Sequence, residues 1–361
     1  MVWKSYALVV MLGMSVSACM APQLAARGVL RTEFLFDSAP FPSVHASTLV
    51  ETADSIVAAW FGGTREGAED VSIWMSRQVG VEWTAPVEVA TGVQPDGSRY
   101  PCWNPVLFAA TDGVLTLFYK VGPSPRLWWG EARTSQDGGI TWGEAQRLPE
   151  GVLGPIKNKP VQLADGSIIS PSSTETDERP STWRIHFERS IDGGRSWSVV
   201  RPRAAPIGTE VQAIQPSILI HAEGRLQAVG RSRSGRVFET WSEDEGQSWS
   251  PVTLMALPNP SSGTDAVTLS DGRHLIVYNH TARGRSPLNV AVSQDGLLWE
   301  AALVLERDLG EYSYPAVIQT SDGLVHISYT WRRERIRHVV IDPTQLVTVP
   351  MSEAEWPDGV Q

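Results

Sequence analysis

The chain has 361 residues, 42% of them hydrophobic and 19% charged, the profile of a globular protein with a sizeable core rather than a disordered or fibrous one. A net charge of −10 argues against a general nucleic-acid-binding surface. With two cysteines, Cys19 and Cys102, no disulfide framework is expected to carry the fold.

In chain order, an apolar run over residues 6–18, preceded by Lys4, has the layout of a secretory signal and is short for a bilayer span. Val16-Ser17-Ala18-Cys19 resembles a bacterial lipobox. The expectation is export to the periplasmic side of a bacterial membrane or the cell surface, with a lipid on Cys19 as the membrane attachment. Residues 20–28 read as a linker and 29–36 as a strand. An apolar segment then reaches an Asp-Gly-like turn and leaves as a second apolar segment, over 47–60, 105–119, 160–170, 216–229, 266–278 and 315–329. Each reads as a strand pair.

A second motif is interleaved with these pairs: SQDGGITW at 135–142, SIDGGRSW at 190–197, SEDEGQSW at 242–249 and a shortened SQDGLLW at 293–299. A worn copy, SRQVGVEW, lies at 76–83. In the four better copies the Asp, lost from the worn one, accepts hydrogen bonds from the turn, the Gly supplies a positive φ, and the Trp clips the hairpin from the return strand. A repeat of about 50 residues holding several short strands is a propeller signature. Six inner pairs imply an all-β, six-bladed β-propeller over 29–345, followed by a tail at 346–361. The last blade is a strand short after 336–341, and 29–36 supplies that strand and closes the ring. Asp137, Asp192, Asp244 and Asp295 are therefore architectural.

A propeller gathers equivalent positions around one axis. Before the inner strands stand His45, Asn104, Lys159, Gln215, Asp265 and Tyr314, all polar; at the far ends of the second strands lie Arg65, Lys120, Glu175, Arg231, Asn279 and residues 331–333. Two concentric sets so rich in ionisable groups point to a pocket at one end of the channel. The basic residues are 26 Arg against four Lys, which fits either a compositional bias or carboxylate recognition by the planar guanidinium. The basic cluster at 331–337 reads as a solvated strand.

On these motifs the chain resembles the Asp-box (BNR-repeat) sialidase superfamily of six-bladed exo-glycosidases, over residues 34–342. The resemblance implies roles residue by residue. Asp70, in FGGTREGAED at 61–70, matches the acid/base, with Arg65 beside it. In EYSYP at 311–315, the dipeptide favours Tyr312 as nucleophile and the distance from the Asp322-Gly323 turn favours Tyr314. Arg231 and Arg285 match carboxylate-binding arginines; Lys159 and Asn104 join the binding set by their rim positions and not by the resemblance. Two positions depart from the pattern. His45 stands for the first arginine, so affinity for an acidic ligand should fall as its imidazole loses charge. Gln215 stands for the Glu that activates the Tyr, and Glu175 or Glu311 is left to substitute.

The resulting expectation is a monomeric glycosidase hydrolysing a terminal acidic sugar of a glycan or glycoconjugate, sialic acid first, with no cofactor and no metal. Another acidic sugar, a 3-deoxy-octulosonic acid or a uronate, is an alternative substrate. A uronate lyase and a non-catalytic glycan-binding propeller are the rival functions.

Overall fold

Short strands joined by tight turns cannot cover their own apolar faces, and here each strand quartet covers the next. The computed structural model describes Met1 and residues 27–360 and contains six antiparallel sheets arranged as propeller blades. Cys19 lies outside the described residues. Blade 1 runs from Ser43–Glu51 at the axis through Ile56–Gly63 and Ser72–Val79 to Val87–Ala90, and blade 2 from Cys102–Ala109 to Gln146–Arg147. Blade 3 begins at Val161–Gln162, blade 4 at Ala213–Ile220, blade 5 at Asp265–Thr268 and blade 6 at Tyr312–Gln319.

Blade 6 takes its fourth strand from the other end of the chain. Val29–Phe34 pairs antiparallel with Arg335–Ile341, Thr32 opposite Val339 and Glu33 opposite His338. A polar clasp reinforces the join: His326 Nδ1 lies 3.0 Å from His338 Nε2, and His338 Nδ1 lies 3.0 Å from Glu33 Oε1. Trp83 of blade 1 donates Nε1–H to the same Glu33 oxygen at 3.0 Å. Val29–Phe34 is thus the outermost strand of blade 6, and its pairing ties the two ends of the described chain into one ring.

The core is divided into six apolar clusters, one per blade interface. Phe61, Ile73 and Met75 of blade 1 meet Leu107, Leu117 and Tyr119 of blade 2; Phe187 of blade 3 meets Ile218 and Phe238 of blade 4. Leu35 and Phe36 pack with Ile336, Leu49 and Trp60 between blades 6 and 1.

The repeated hairpin joins the third and fourth strands. Ser190 Oγ donates to Asp192 Oδ1 at 2.8 Å and accepts Gly194 N–H at 2.8 Å, while Asp192 accepts Ser196 N–H at 2.9 Å. Asp137 and Asp244 repeat these bonds. Trp249, 1% exposed, stacks on Phe187 with centroids 3.7 Å apart. The tail is bound rather than loose: Val349–Pro350 pairs with Trp299–Glu306 of blade 5.

Candidate active site

The axial strands of blades 1, 2, 4 and 6 slip register at one common place, between His45/Thr48, Trp103/Val106, Ile214/Ser217 and Ser313/Ala316. Each slip carries a left-handed residue: Ala46 (φ 55°), Asn104 (φ 37°), Gln215 (φ 59°) and Tyr314 (φ 51°). In three of them a proline follows (Pro105, Pro216, Pro315), a residue tolerated where the ladder is already interrupted. A non-glycine residue in this conformation costs on the order of 1–3 kcal/mol and persists where the surroundings impose it.

The bulge corrects the register of the axial set. Ala46, rather than His45, is the counterpart of Asn104, Gln215 and Tyr314. Asp265 pairs with Val277 as Ser217 pairs with Val229, which sets Asp265 one step deeper in the channel than Gln215. Lys159, just before the Val161 to Ile169 pair, lies at the same deeper level. In blades 3 and 5 the bulge level is occupied by Lys157 and Gly263. Asp265 knits the deeper layer: it accepts Ser217 Oγ–H at 2.8 Å and Val317 N–H at 2.8 Å, and pairs with Lys159 Nζ at 3.1 Å.

Around Tyr314 the bulge brings several groups together. Its Oη accepts from Gln215 Nε2 and from Arg231 Nη1, each at 3.1 Å. Arg231 also reaches Ser261 Oγ at 3.2 Å. The Arg285 guanidinium and the Lys157 ammonium each lie 5.8 Å from the centre of the phenol ring. The His45 ring lies 4.1 Å from it, centroid to centroid. Glu311 joins two arginines, accepting from Arg285 Nη1 at 2.8 Å and Arg333 Nε at 2.5 Å, and Arg333 also meets Glu66. Arg231 has no carboxylate partner among the described residues, so its charge is available to an anionic ligand.

Burial sets the charge state of the centre. His45 is held well below the ordinary histidine range, first by burial and then by Arg333, Arg285, Arg231 and Lys157. It is neutral at physiological pH, so, against the expectation from the sequence, it has no charge there for an acidic ligand to lose. Burial pushes Lys157 down to about 7, against the pull of Asp265.

Other expected residues stand apart from this cluster. Tyr312 is 1% exposed within the core between blades 5 and 6, and its hydroxyl meets Arg332 at 3.3 Å; the phenol beside Arg231 is Tyr314. Asn104 is buried at its bulge. Arg65 and Asp70 are exposed on the loop after Ile56–Gly63. Thr64, through its hydroxyl at 2.5 Å and its N–H at 2.9 Å, holds the Asp70 carboxyl below the usual range. This loop reaches the cluster through the Glu66 to Arg333 pair. Glu175 accepts from Trp183 Nε1 at 3.0 Å, and the guanidinium groups of Arg231 and Arg233 lie 4.8 and 4.3 Å from the centre of the Trp183 ring. Lys120 is fully buried outside the cluster and donates to Pro155 O at 2.8 Å.

Arg333 carries two expectations from the sequence, a rim position at the end of the sixth inner pair and a solvated strand, and it meets Glu311 and Glu66 beside the cluster. It turns inward from a left-handed position (φ 62°).

A propeller with strained bulges around a cation-ringed tyrosine belongs to the sialidase-like class. The chain is a member of the BNR repeat-like domain family, whose profile matches residues 54–327. It is 30% identical over 261 residues to a sialidase of Micromonospora viridifaciens, covering 61% of this chain and 36% of that protein. The chain thus spans about a third of that relative's length. Among solved structures, a protein of unknown function from Dyadobacter fermentans superposes with a TM-score of 0.72 at 17% identity, over 88% of this chain and 99% of that one. The NanB sialidase of Streptococcus pneumoniae gives 0.67 at 12% identity, over 87% and 71%. The intramolecular trans-sialidase of Ruminococcus gnavus gives 0.67 at 13%, over 88% and 98%. These structural likenesses establish the fold.

Proposed function

We propose that the protein is an exo-glycosidase that hydrolyses a terminal acidic sugar, with sialic acid the first substrate to test. The observation that carries this reading is Tyr314, presented by a strained bulge with its hydroxyl 3.1 Å from the carboxylate-free Arg231. Arg231 and Arg285 hold the sugar carboxylate, Arg285 exchanging part of its bond to Glu311 for the ligand. Tyr314 attacks the anomeric carbon, its phenol proton passing to solvent, while Asp70 protonates the departing oxygen. A tyrosine nucleophile is a known departure from the two-carboxylate scheme, and it spares an anionic sugar the approach of a carboxylate. Asp70 must gain a proton to act as acid; a bound carboxylate and the loss of water favour that form.

A 3-deoxy-octulosonic acid or a uronate would meet the same cations. The departure at Gln215, which gives Tyr314 an amide in place of a carboxylate, keeps these sugars in the proposal. The test is a panel of aryl glycosides of the three acidic sugars, with product mass and configuration determined. Hydrolysis of one of them, lost in Tyr314→Phe, is the expected result. An unsaturated product would indicate a lyase, and binding without turnover a glycan-binding propeller. Export and acylation at Cys19 belong to the same proposal and are tested by membrane fractionation of the full chain against Cys19→Ser.

A further inference from the structure

Lys157 is seated where the counterpart residue of four other blades makes a bulge, and the surrounding chain is shaped to receive it. Its ammonium donates to Pro315 O at 2.5 Å, Asn158 Oδ1 at 2.6 Å and Thr264 O at 3.0 Å, one acceptor for each N–H. Asn158 in turn donates to Gln215 O at 3.0 Å. One side chain therefore ties the peptide after Tyr314 to the bulge of blade 4 and to the start of blade 5. Gly263 leaves the room: a Cβ there would stand 3.1 Å from Lys157 Cε and 3.2 Å from Gln215 Oε1. The loop carrying Lys157 is itself anchored. Glu188 accepts Leu153 and Gly154 N–H at 2.7 and 2.8 Å, Ser172 donates to Gly154 O, and Lys120 donates to Pro155 O.

We propose that Lys157 is a positioning residue of the reaction, aiming the Tyr314 bulge and supplying the positive charge that steadies the Tyr314 oxygen as it leaves the sugar. This rests on the glycosidase reading. In the second half of that reaction, water oxygen bonds to the anomeric carbon and the bond from that carbon to Tyr314 Oη breaks. The electron pair stays on Oη, and the water proton passes to the Asp70 carboxylate. Negative charge develops on Oη, where Arg231 and Gln215 already donate, and a fixed cation nearby lowers the barrier without reorganising. A carboxylate at Gln215 would oppose that charge; an amide does not. The groups facing Lys157 are Asp265, Lys159, Arg231, the neutral His45 and the Tyr314 ring. Burial lowers its amine to about 7, so its charge declines as pH rises through that range.

The experiment compares wild type, Lys157→Met and Lys157→Arg on 4-methylumbelliferyl glycosides of the three acidic sugars, by steady-state and rapid-mixing kinetics, with thermal unfolding as a control for folding. With this good leaving group the release of Tyr314 limits turnover. Wild-type kcat should fall as pH rises through about 7. Lys157→Met should lose at least about tenfold in kcat, a small part of the preorganised-charge effect. It should also show a burst of aryl product equal to the enzyme concentration, with KM falling alongside kcat. Lys157→Arg, which keeps the charge but does not titrate in this range, should retain turnover with the alkaline fall removed. If Lys157→Met does not fold, an unchanged alkaline fall in Lys157→Arg overturns the proposal. Wild-type kcat without a burst in a folded Lys157→Met overturns it as well, and leaves the glycosidase reading standing. Failure of wild type to hydrolyse any of the three sugars removes that reading, and Lys157's role with it.

Discussion

His45 and Tyr314 lie ring against ring, 4.1 Å between centroids, with His45 Nδ1 2.9 Å from the hydroxyl of Thr330. The imidazole comes from blade 1 and the phenol from blade 6, so the contact spans the blade seam next to the one closed by the N-terminal strand. It fixes the face of Tyr314 while remaining uncharged.

From that neutrality, His45→Asn should leave the pH dependence of acidic-sugar binding unchanged in shape between pH 5.5 and 7.5, as read by calorimetry. Folding also enters. The imidazole's folded value is below the unfolded one, near 6.5, so the unfolded chain takes the proton first and stability falls as pH drops below about 6.5. A binding step near pH 6.5 that disappears in His45→Asn would mean that the imidazole is charged in the site.

Asp70 and Arg231 should fail in different ways. Asp70→Asn should reduce turnover of a natural-type substrate by about two to four orders of magnitude, the usual range for a general acid, and much less for an aryl glycoside. Arg231→Ala should weaken binding of the acidic sugar by roughly 10- to 150-fold, the equivalent of losing a charged hydrogen bond of about 1.5–3 kcal/mol. Equal turnover by Asp70→Asn and wild type on the natural-type substrate would remove Asp70 from the mechanism.

Trp249→Ala should destabilise the fold without touching the site. Its indole is buried against Phe187 at the interface of blades 3 and 4, and truncating such a side chain costs about 3–5 kcal/mol. Denaturant unfolding should show the loss, and the folded fraction should bind the acidic sugar as wild type does. Lost affinity in the folded fraction would place the hairpin tryptophans in the functional architecture.

The clasp at the ring seam should make the fold acid-sensitive. Burial, then the proximity of His338, pushes His326 down to about 4, and burial lowers His338 although Glu33 opposes it. Both are below the unfolded value near 6.5, so stability is complete above that pH and declines as pH falls from about 6.5 toward 4. His326 alone accounts for on the order of 3 kcal/mol across the window, at 1.36 kcal/mol per unit. His326→Gln should flatten the fall in Tm between pH 7 and 4.5. The same slope in variant and wild type would place the acid sensitivity elsewhere.

The ring was legible because its signals repeat: six inner pairs, the Asp-and-Trp hairpins, and a last blade lacking the strand that 29–36 provides. Site residues do not repeat, and reading them required a register. That register failed at the bulge. His45 and Ala46 are adjacent, and nothing in Val44-His45-Ala46-Ser47 marks which of them adopts the left-handed turn; the proline that marks it in blades 2, 4 and 6 is missing from blade 1. Lys159 and Asp265 look like rim residues for a related reason, since blades 3 and 5 have no bulge to show the offset. For Arg333 the sequence pointed two ways: the end of the sixth inner pair set it on the rim, while five charged residues in seven suggested solvent, and the inward turn at Arg332 and Arg333 depends on two successive positive φ angles.

The placement of the lysines has a practical consequence for anyone handling this protein. Among the described residues the only lysines are Lys120 and Lys157, both buried, and Lys159, whose partly exposed amine is paired with Asp265 inside the channel. Reagents that acylate or alkylate amines therefore find no lysine on the described outer surface. Coupling chemistry that ordinarily decorates a protein at random would here be directed, among the described lysines, to the channel itself. Protection of Lys159 from such a reagent by a bound ligand, read by peptide mass, would serve as a footprint of channel occupancy, while immobilisation through amines risks blocking the pocket it is meant to display.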